Sequence, residues 1–114
     1  MAEVITVVGG GIIGLTTAFE LTERGQRVRV YDPTPGERGT GASYFAGGML
    51  APIAEVQFQQ DALFPLMVSS ADVYPSLMRR LAAVTDAPTG YDTTGTLVVA
   101  GDRADAAHLR DVSE

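Results

Sequence analysis

The chain contains no cysteine, and His108 is the single histidine among its 114 residues. The absence of cysteine excludes disulfides, a thiolate nucleophile and a metal site with cysteine ligands. A lone histidine lacks the partner that normally orients a base or a metal ligand, so we expect His108 on the surface. No pair of carboxylates, His/Glu cluster or Ser-His-Asp set stands out. The sequence therefore predicts no metal site and no catalytic residue within this chain.

Basic residues are also scarce, because 8 Lys and Arg stand against 14 Asp and Glu, for a formal net charge of −6. Nucleic acids and anionic membranes attract basic surfaces, so we expect neither as a partner. No apolar run approaches the ~18 residues of a membrane span. No basic segment precedes the first apolar run, as it would in a signal peptide. The composition is compatible with a cytoplasmic protein.

The most informative stretch is Val4–Gly14, VITVVGGGIIG, in which an apolar segment meets three glycines at G-x-G-x-x-G spacing. The β-branched residues of the segment predict a strand that is buried on both faces. Gly9 allows a tight turn, and Gly11 lets a pyrophosphate approach the backbone. Gly14 lets the next helix pack closely on the strand. The stretch therefore predicts a phosphate site at a helix N-terminus.

The residues after the glycines complete a βαβ pattern. Apolar positions at helical spacing predict a helix from Gly11 to Arg24, which Gly25 would end in a left-handed conformation. The alternating segment Arg27–Asp32 predicts a second strand, parallel to the first. Its last residue, Asp32, is close to the ~20 positions after the glycines at which an acid binds the ribose hydroxyls of a dinucleotide.

A loop rich in proline and glycine follows, and then the uncharged run Ala42–Pro52, ASYFAGGMLAP. Linkers are polar, so this run is expected to be buried or to lie against a flat apolar surface. Gly47 and Gly48 would let the backbone approach a ligand closely. Ser43 is expected either to cap a short helix or to bond a phosphate oxygen.

The sequence GGGIIG, the acid that ends the second strand and the run ASYFAGGMLAPIAE together resemble the D-amino-acid-oxidase-like flavoproteins. Within that family the chain is similar to the glycine oxidases of the thiazole branch of thiamine biosynthesis. The specific motifs cover Val4–Glu55. The resemblance implies an FAD cofactor that contacts Gly9, Gly11, Ile12, Ile13, Gly14, Asp32, Pro33, Ala42, Ser43, Gly47, Gly48 and Met49.

The resemblance also implies a role for each group of residues. The glycine motif would cradle the pyrophosphate, and Asp32 would hold the ribose where the family more often has Glu. Ala42 and Ser43 would meet the pyrophosphate, although the family usually has a hydroxyl at both positions. The segment from Gly47 to Met49 would run along the isoalloxazine. The implied reaction is oxidative deamination of glycine or another small amine to an imine, with oxygen as electron acceptor.

The rest of the chain predicts one helical region and a hairpin. Apolar residues at 4-3-4-3 spacing predict one long helix or two short ones within residues 57–86, with Asp61 as N-cap and Pro75 as a kink or a first-turn proline. Short runs at 91–93 and 96–100 predict strands around Gly95, and a last helix begins near Asp102.

The predicted fold class is therefore α/β, a Rossmann-like FAD/NAD(P)-binding βαβ unit with the start of a second, substrate domain. Residues 1–60 would form the N-terminal part of the FAD-binding domain, residues 61–90 its helical segment, and residues 91–114 the beginning of the substrate domain. Since only one half of a doubly wound domain is evident, we expect a piece of a longer protein. Its catalytic residues would lie beyond Glu114.

Three alternatives stay open at the level of sequence. The first is an NAD-dependent dehydrogenase, because Asp32 permits NAD, although Arg38 softens its preference against a 2′-phosphate. The second is a structural βαβ unit that binds no nucleotide. The third is a non-catalytic fragment that associates with itself, since half a sheet leaves an open edge. On any reading, exposed apolar surface predicts a homo-oligomer.

Overall fold

The computed structural model describes residues 3–34, 41–50, 52 and 62–113. The chain divides into two compact units, residues 1–49 and residues 50–114. The predicted boundaries at residues 60 and 90 remain predictions. The predicted ligand residues fall in the first unit, whereas the long helix and the C-terminal helix fall in the second.

The first unit is a βαβ unit followed by one short helix. Strand β1 (Val4–Val8), helix α1 (Ile12–Glu23) and strand β2 (Arg27–Tyr31) come first, and helix α2 (Ala42–Phe45) follows. The strands are parallel, with Val4 opposite Arg27 and Val8 opposite Tyr31. This register confirms the predicted parallel pair. The backbone N–H of Gly9 also donates to the carbonyl of Tyr31 at 2.8 Å, which ties the end of β1 to the end of β2.

Helix α1 ends as the sequence predicts. Gly25 has φ of 76°, a left-handed conformation that glycine adopts without the usual penalty. Its N–H donates to Thr22, and the N–H of Gln26 donates to Leu21 at 3.0 Å. These two bonds form a Schellman motif, which satisfies carbonyls that the helix itself leaves free.

The prediction that β1 is buried on both faces is wrong for the part of the chain that the structure describes. There Ala18 of α1 is the one buried hydrophobic residue, whereas Val8 is 85% exposed. The sheet has two strands, and α1 is the helix that packs on it. Burial on both faces of a parallel sheet requires a layer on each side. The apolar residues of β1 therefore predicted the strand correctly, but the described part of the chain does not bury both faces of it.

Gly14 is the point at which α1 comes closest to β1. A Cβ atom added there would overlap the carbonyl oxygen of Gly9 and would lie 3.4 Å from a methyl group of Val7. The obstacle is mainly backbone, which cannot rotate away as a side chain could. The close helix–strand packing predicted from the third glycine of the motif is thus present.

We expect Gly14→Ala to destabilise the chain, although alanine is the better helix former by ~1 kcal/mol. The methyl group forces α1 away from β1, and such overpacking costs about 1–3 kcal/mol. The free energy of unfolding in urea measures the change. Thr17→Ala, at an exposed position of the same helix, is the control and should stabilise by a few tenths of a kcal/mol, roughly. A Gly14→Ala variant as stable as the control would contradict the packing.

The second unit contains helix α3 (Phe64–Ala82) and helix α4 (Arg103–Ser113). Helix α3 is continuous and has Pro75 inside it, so the first of the two predicted arrangements, one long helix, is present. Its N-cap is Leu63. The predicted cap, Asp61, lies outside the described residues. No helix in the described part of the chain is long and apolar enough to cross a membrane.

The hairpin predicted around Gly95 is wrong, because residues 91–100 contain no strand. At the start of this segment, the carboxylate of Asp92 accepts the N–H of Thr94 at 3.0 Å, where the prediction had a strand. Such local bonds compete with strand pairing. Tyr91 stacks on Tyr74 of α3, with ring centroids 6.0 Å apart. The runs at 91–93 and 96–100 therefore form no sheet.

The last predicted helix is confirmed as α4. The carboxylate of Asp102 accepts the N–H groups of Ala104 at 2.7 Å and Asp105 at 3.0 Å, so Asp102 is an N-cap. Asp105 in turn accepts the N–H of Gly101 at 3.0 Å. His108 is exposed on α4, as expected for a surface residue.

Candidate nucleotide-binding site

The site begins at the turn between β1 and α1. Gly9 has φ of 106°, a conformation that other residues rarely adopt, and this value accounts for the first glycine of the motif. Gly11 is the N-cap of α1 and is extended, with φ of −74°. It has no side chain that could accept an N–H of the first helical turn. That turn also contains no acidic residue, so no protein carboxylate there would repel an anion.

Asp32 closes the turn from the end of β2. Its Oδ2 accepts the N–H of Gly10 at 2.6 Å. Its Oδ1 accepts the N–H of Thr34 at 2.9 Å and the hydroxyl of Thr34 at 3.1 Å. A carboxylate has about four acceptor positions. Three are therefore used inside the protein, which leaves Oδ2 able to accept one hydroxyl of a ligand.

Two residues of this network were not predicted from the sequence. A Cβ on Gly10 would lie 2.9 Å from Oδ2 of Asp32, so Gly10 must also be glycine for the carboxylate to reach its N–H. Thr34 holds the other oxygen. Gly10 occupies a variable position of the motif, and its bond to Asp32 spans 22 residues of sequence. The triple glycine of the sequence is the signal that could have indicated it.

These hydrogen bonds lower the pKa of Asp32 below its ordinary value of 3.8. The backbone N–H of Thr34 contributes most, the N–H of Gly10 comes next, and the Thr34 hydroxyl adds to both, while partial burial opposes them. Donors that bind the ionised form favour it. Asp32 is therefore a carboxylate, and an acceptor only, at neutral pH.

The lowered pKa predicts how stability depends on pH. Because the folded pKa lies below the unfolded one, the carboxylate stabilises the fold above the unfolded pKa. This stabilisation is lost as the pH falls through the folded pKa. Asp32→Asn should therefore remove part of the loss of stability below about pH 4. Urea unfolding at several pH values, with an NMR titration of the Asp32 carboxyl carbon, measures both. An unchanged acid dependence in the Asn variant would contradict the network.

Ser43 contacts α1 and not its own helix. Its hydroxyl oxygen accepts the N–H of Ile12, the first residue of α1, at 3.0 Å. A Cβ on Gly11 would lie 3.2 Å from the same oxygen. The N-cap of α2 is Gly41, which makes no side-chain capping bond. The expectation that Ser43 caps a short helix is therefore wrong: Ser43 accepts an N–H of the first turn of α1, which begins 31 residues earlier.

The structure brings part of the predicted set together at the ends of β1 and β2, namely Gly9, Gly11, Ile12, Asp32 and Ser43. The side chains of Ile12 and Ile13 are 61% and 81% exposed. Gly14 packs on Gly9. The remaining predicted residues are exposed and comprise Pro33 after β2, Ala42 in α2, and Gly47, Gly48 and Met49 after α2.

The backbone after α2 is exposed. A Cβ on Gly47 or Gly48 would meet no atom within 4 Å, and Gly48 has φ of 75°. The side chain of Met49 is 75% exposed. No group of three or more potential metal ligands exists among the described residues.

The arrangement as a whole fits a dinucleotide. An α-helix of 12 residues presents its N-terminus beside glycines, where N–H groups and the helix dipole favour phosphate. Asp32 supplies an ionised acceptor close by, which suits a ribose hydroxyl. The geometry is therefore compatible with a ligand that has phosphate groups and sugar hydroxyls.

Comparison with known proteins agrees with this chemistry. The family described as "DAO: FAD dependent oxidoreductase" matches residues 5–114. A glycine oxidase of Pseudomonas putida is 39% identical over 95 residues, which cover 83% of this chain and 25% of that protein. A D-amino-acid oxidase of Streptomyces coelicolor is 46% identical over 78 residues, which cover 67% of this chain and 22% of that protein.

A third relative, from Rhizobium etli, has a name that includes "thiamine biosynthesis oxidoreductase ThiO". It is 38% identical over 99 residues, or 87% of this chain and 27% of that protein. The chain thus spans about a quarter of the length of these relatives. No solved structure matches the chain.

Proposed function

Because the chain belongs to the DAO family of FAD-dependent oxidoreductases, we propose that it forms the FAD-binding part of a glycine-oxidase-like enzyme. The reaction would be oxidative deamination of glycine or another small amino acid to an imine, with oxygen as electron acceptor. A role in thiamine biosynthesis is proposed from the name of the Rhizobium relative. The glycine oxidase among the relatives supports the choice of substrate.

The proposal depends on one observation: the three groups that a dinucleotide needs lie close together. The carboxylate of Asp32 accepts the N–H of Gly10 in the glycine turn at 2.6 Å, and this turn leads directly into the N-terminus of α1. A pyrophosphate needs N–H donors and close backbone approach, and a ribose needs an acceptor. We propose that the pyrophosphate lies at the start of α1 and the adenosine ribose at Asp32.

The proposed FAD contacts run from the start of α1 to the segment after α2, and all of them lie in the first unit. The phosphates would contact the motif glycines and the backbone of the first turn of α1, with Ala42 and Ser43 beside them. The isoalloxazine would lie along the open backbone after α2. The proposed set comprises Gly9, Gly11, Ile12, Ile13, Gly14, Asp32, Pro33, Ala42, Ser43, Gly47, Gly48 and Met49.

FAD, when bound, supplies the acceptor for the hydride that leaves the amino acid. The residues of this chain would bind and orient it. The N–H donors of the first turn of α1 would neutralise phosphate charge. Asp32, with its pKa lowered, would stay ionised and accept a ribose hydroxyl without exchanging a proton with it. We assign no catalytic residue and no substrate-binding group within the chain.

Flavin binding tests this proposal, and we expect Gly11→Val to abolish it. The branched side chain would occupy the place where the pyrophosphate meets the backbone, next to the Ser43 hydroxyl that is 3.2 Å from a Cβ there. Gly41→Val is a matched control, because Gly41 has φ of −82° and open space around its Cβ position. Equilibrium dialysis and flavin fluorescence measure binding.

The same experiment distinguishes FAD from NAD. The proposal predicts that FAD is retained by the wild type and by Gly41→Val, and that NAD does not displace it. Equal FAD content in Gly11→Val and the control would contradict the phosphate cradle. Tight binding of NAD with no retention of FAD would favour a dehydrogenase.

We also expect the 114-residue chain alone to self-associate and to lack activity with glycine. Support comes from its exposed apolar side chains, among them Val8 at 85% and Leu97 at 87%, since monomers rarely expose large apolar patches. Sedimentation velocity measures the association, and an oxygen electrode measures turnover. A stable monomer that consumes oxygen with glycine would contradict the expectation and would place catalytic groups inside this chain.

A further inference from the structure

The two oxygens of the Asp32 carboxylate have different partners. Oδ1 accepts both the N–H of Thr34 at 2.9 Å and the hydroxyl of Thr34 at 3.1 Å. Oδ2 accepts the N–H of Gly10 at 2.6 Å. Each carboxylate oxygen has about two acceptor positions. Thr34 therefore fills the positions of Oδ1, and the one position that stays open to a ligand is on Oδ2.

The hydroxyl of Thr34 also limits rotation of the carboxylate. The last torsion of an aspartate side chain has a broad energy profile, so the backbone alone does not fix the plane of the carboxyl group. Two donors on Oδ1 and one donor on Oδ2 do fix this plane. Pro33, between Asp32 and Thr34, has a restricted φ, which limits the freedom of the backbone that presents the Thr34 donors. The open position of Oδ2 is thus held in one direction.

We propose that Thr34 is a positioning residue for the ribose site: it occupies Oδ1 and orients the carboxylate, so that Asp32 accepts a single hydroxyl of the adenosine ribose through Oδ2. This inference rests on the proposed function, because it takes the adenosine part of FAD as the ligand. The bonds from Thr34 and Gly10 stay in place when the ribose binds, because the ribose hydroxyl takes the position that they leave open.

The arrangement has a consequence for how the chain distinguishes ribose from deoxyribose. A ribose presents two neighbouring hydroxyls, and a carboxylate with a position open on each oxygen can accept both of them. Asp32 has a position open on Oδ2 alone. The removal of the 2′-hydroxyl and the removal of the 3′-hydroxyl should therefore have unequal effects on binding.

Titrations of the labelled wild-type chain with ADP, 2′-deoxy-ADP and 3′-deoxy-ADP test the single contact. The shift of the Gly10 amide gives the Kd of each nucleotide. One of the two deoxy nucleotides should bind roughly ten-fold more weakly than ADP, because it lacks a hydrogen bond to a charged group. The other should bind as ADP does.

Thr34→Val tests the positioning role, because valine has the shape of threonine but no hydroxyl. The Kd for ADP should rise about three-fold, within the range of coupling between members of one hydrogen-bond network. The Kd for the weaker deoxy nucleotide should not change, since that ligand lacks the hydroxyl that Asp32 accepts. A purely structural role of Thr34 would weaken all three nucleotides equally. Thr34→Ser keeps the hydroxyl and should restore the wild-type values.

Thr94→Val is the matched control. Thr94 stands two residues after an aspartate, as Thr34 does, and the carboxylate of Asp92 accepts its N–H at 3.0 Å. This pair lies in the second unit, outside the proposed FAD contacts. Thr94→Val should therefore leave the Kd of all three nucleotides unchanged.

Two results would overturn the inference. The first is a wild type for which both deoxy nucleotides, or neither, bind more weakly than ADP, and this comparison stands even where Thr34→Val does not fold. The second is a Thr34→Val variant whose Kd is unchanged for ADP or is raised equally for all three nucleotides. In either case FAD binding by the wild type still supports the proposed function. A wild type that binds neither FAD nor ADP overturns both.

Discussion

The first N–H groups of α1 need acceptors that neither the helix nor its N-cap residue supplies. Gly11 at the N-cap has no side chain that could accept an N–H. Two side chains from elsewhere in the unit accept N–H groups at this end of the helix. Asp32 accepts the N–H of Gly10 at 2.6 Å, and Ser43 accepts that of Ile12 at 3.0 Å.

This constraint explains why glycines stand at positions that the nucleotide motif alone does not require. A Cβ on Gly10 would crowd the carboxyl group of Asp32, because Oδ2 would lie 2.9 Å from it and Cγ 3.0 Å. Asp32 is in turn held by Thr34, which lowers its pKa and fixes its second oxygen. The hydrogen bonds of the turn therefore fix the position of both carboxylate oxygens.

The sequence was sufficient to predict the elements that depend on neighbouring residues. The strands, α1, the Gly25 terminus and the parallel pairing follow from local periodicity and from glycine at fixed positions. The contacts of Gly10 and Ser43 were not predicted, because they join residues 22 and 31 positions apart, and a pattern within one segment contains no information on its partner. The hairpin prediction failed for a related reason: the short runs on either side of Gly95 form strands only if they pair with each other.

Membership of the FAD-dependent family and the geometry of the turn lead to the same ligand by independent routes. The family match rests on similarity along residues 5–114. The inference from the turn rests on its N–H donors, the carboxylate acceptor and the steric access that the glycines allow. In the proposed enzyme, this chain would contribute the part that holds the cofactor. Apolar residues of β1 and α1 are exposed. This exposure is consistent with a two-stranded sheet on which α1 packs and which little other protein surface covers.

The most direct test of the central claim is the change in backbone amide shifts when nucleotides are added to the labelled chain. FAD and ADP both contain a ribose pyrophosphate, whereas riboflavin contains neither phosphate nor adenosine ribose. The account predicts that FAD and ADP shift the amides of Gly10, Gly11, Ile12 and Ile13, and that riboflavin leaves them unchanged. Shifts confined to residues outside this turn, or equal shifts with riboflavin, would contradict it.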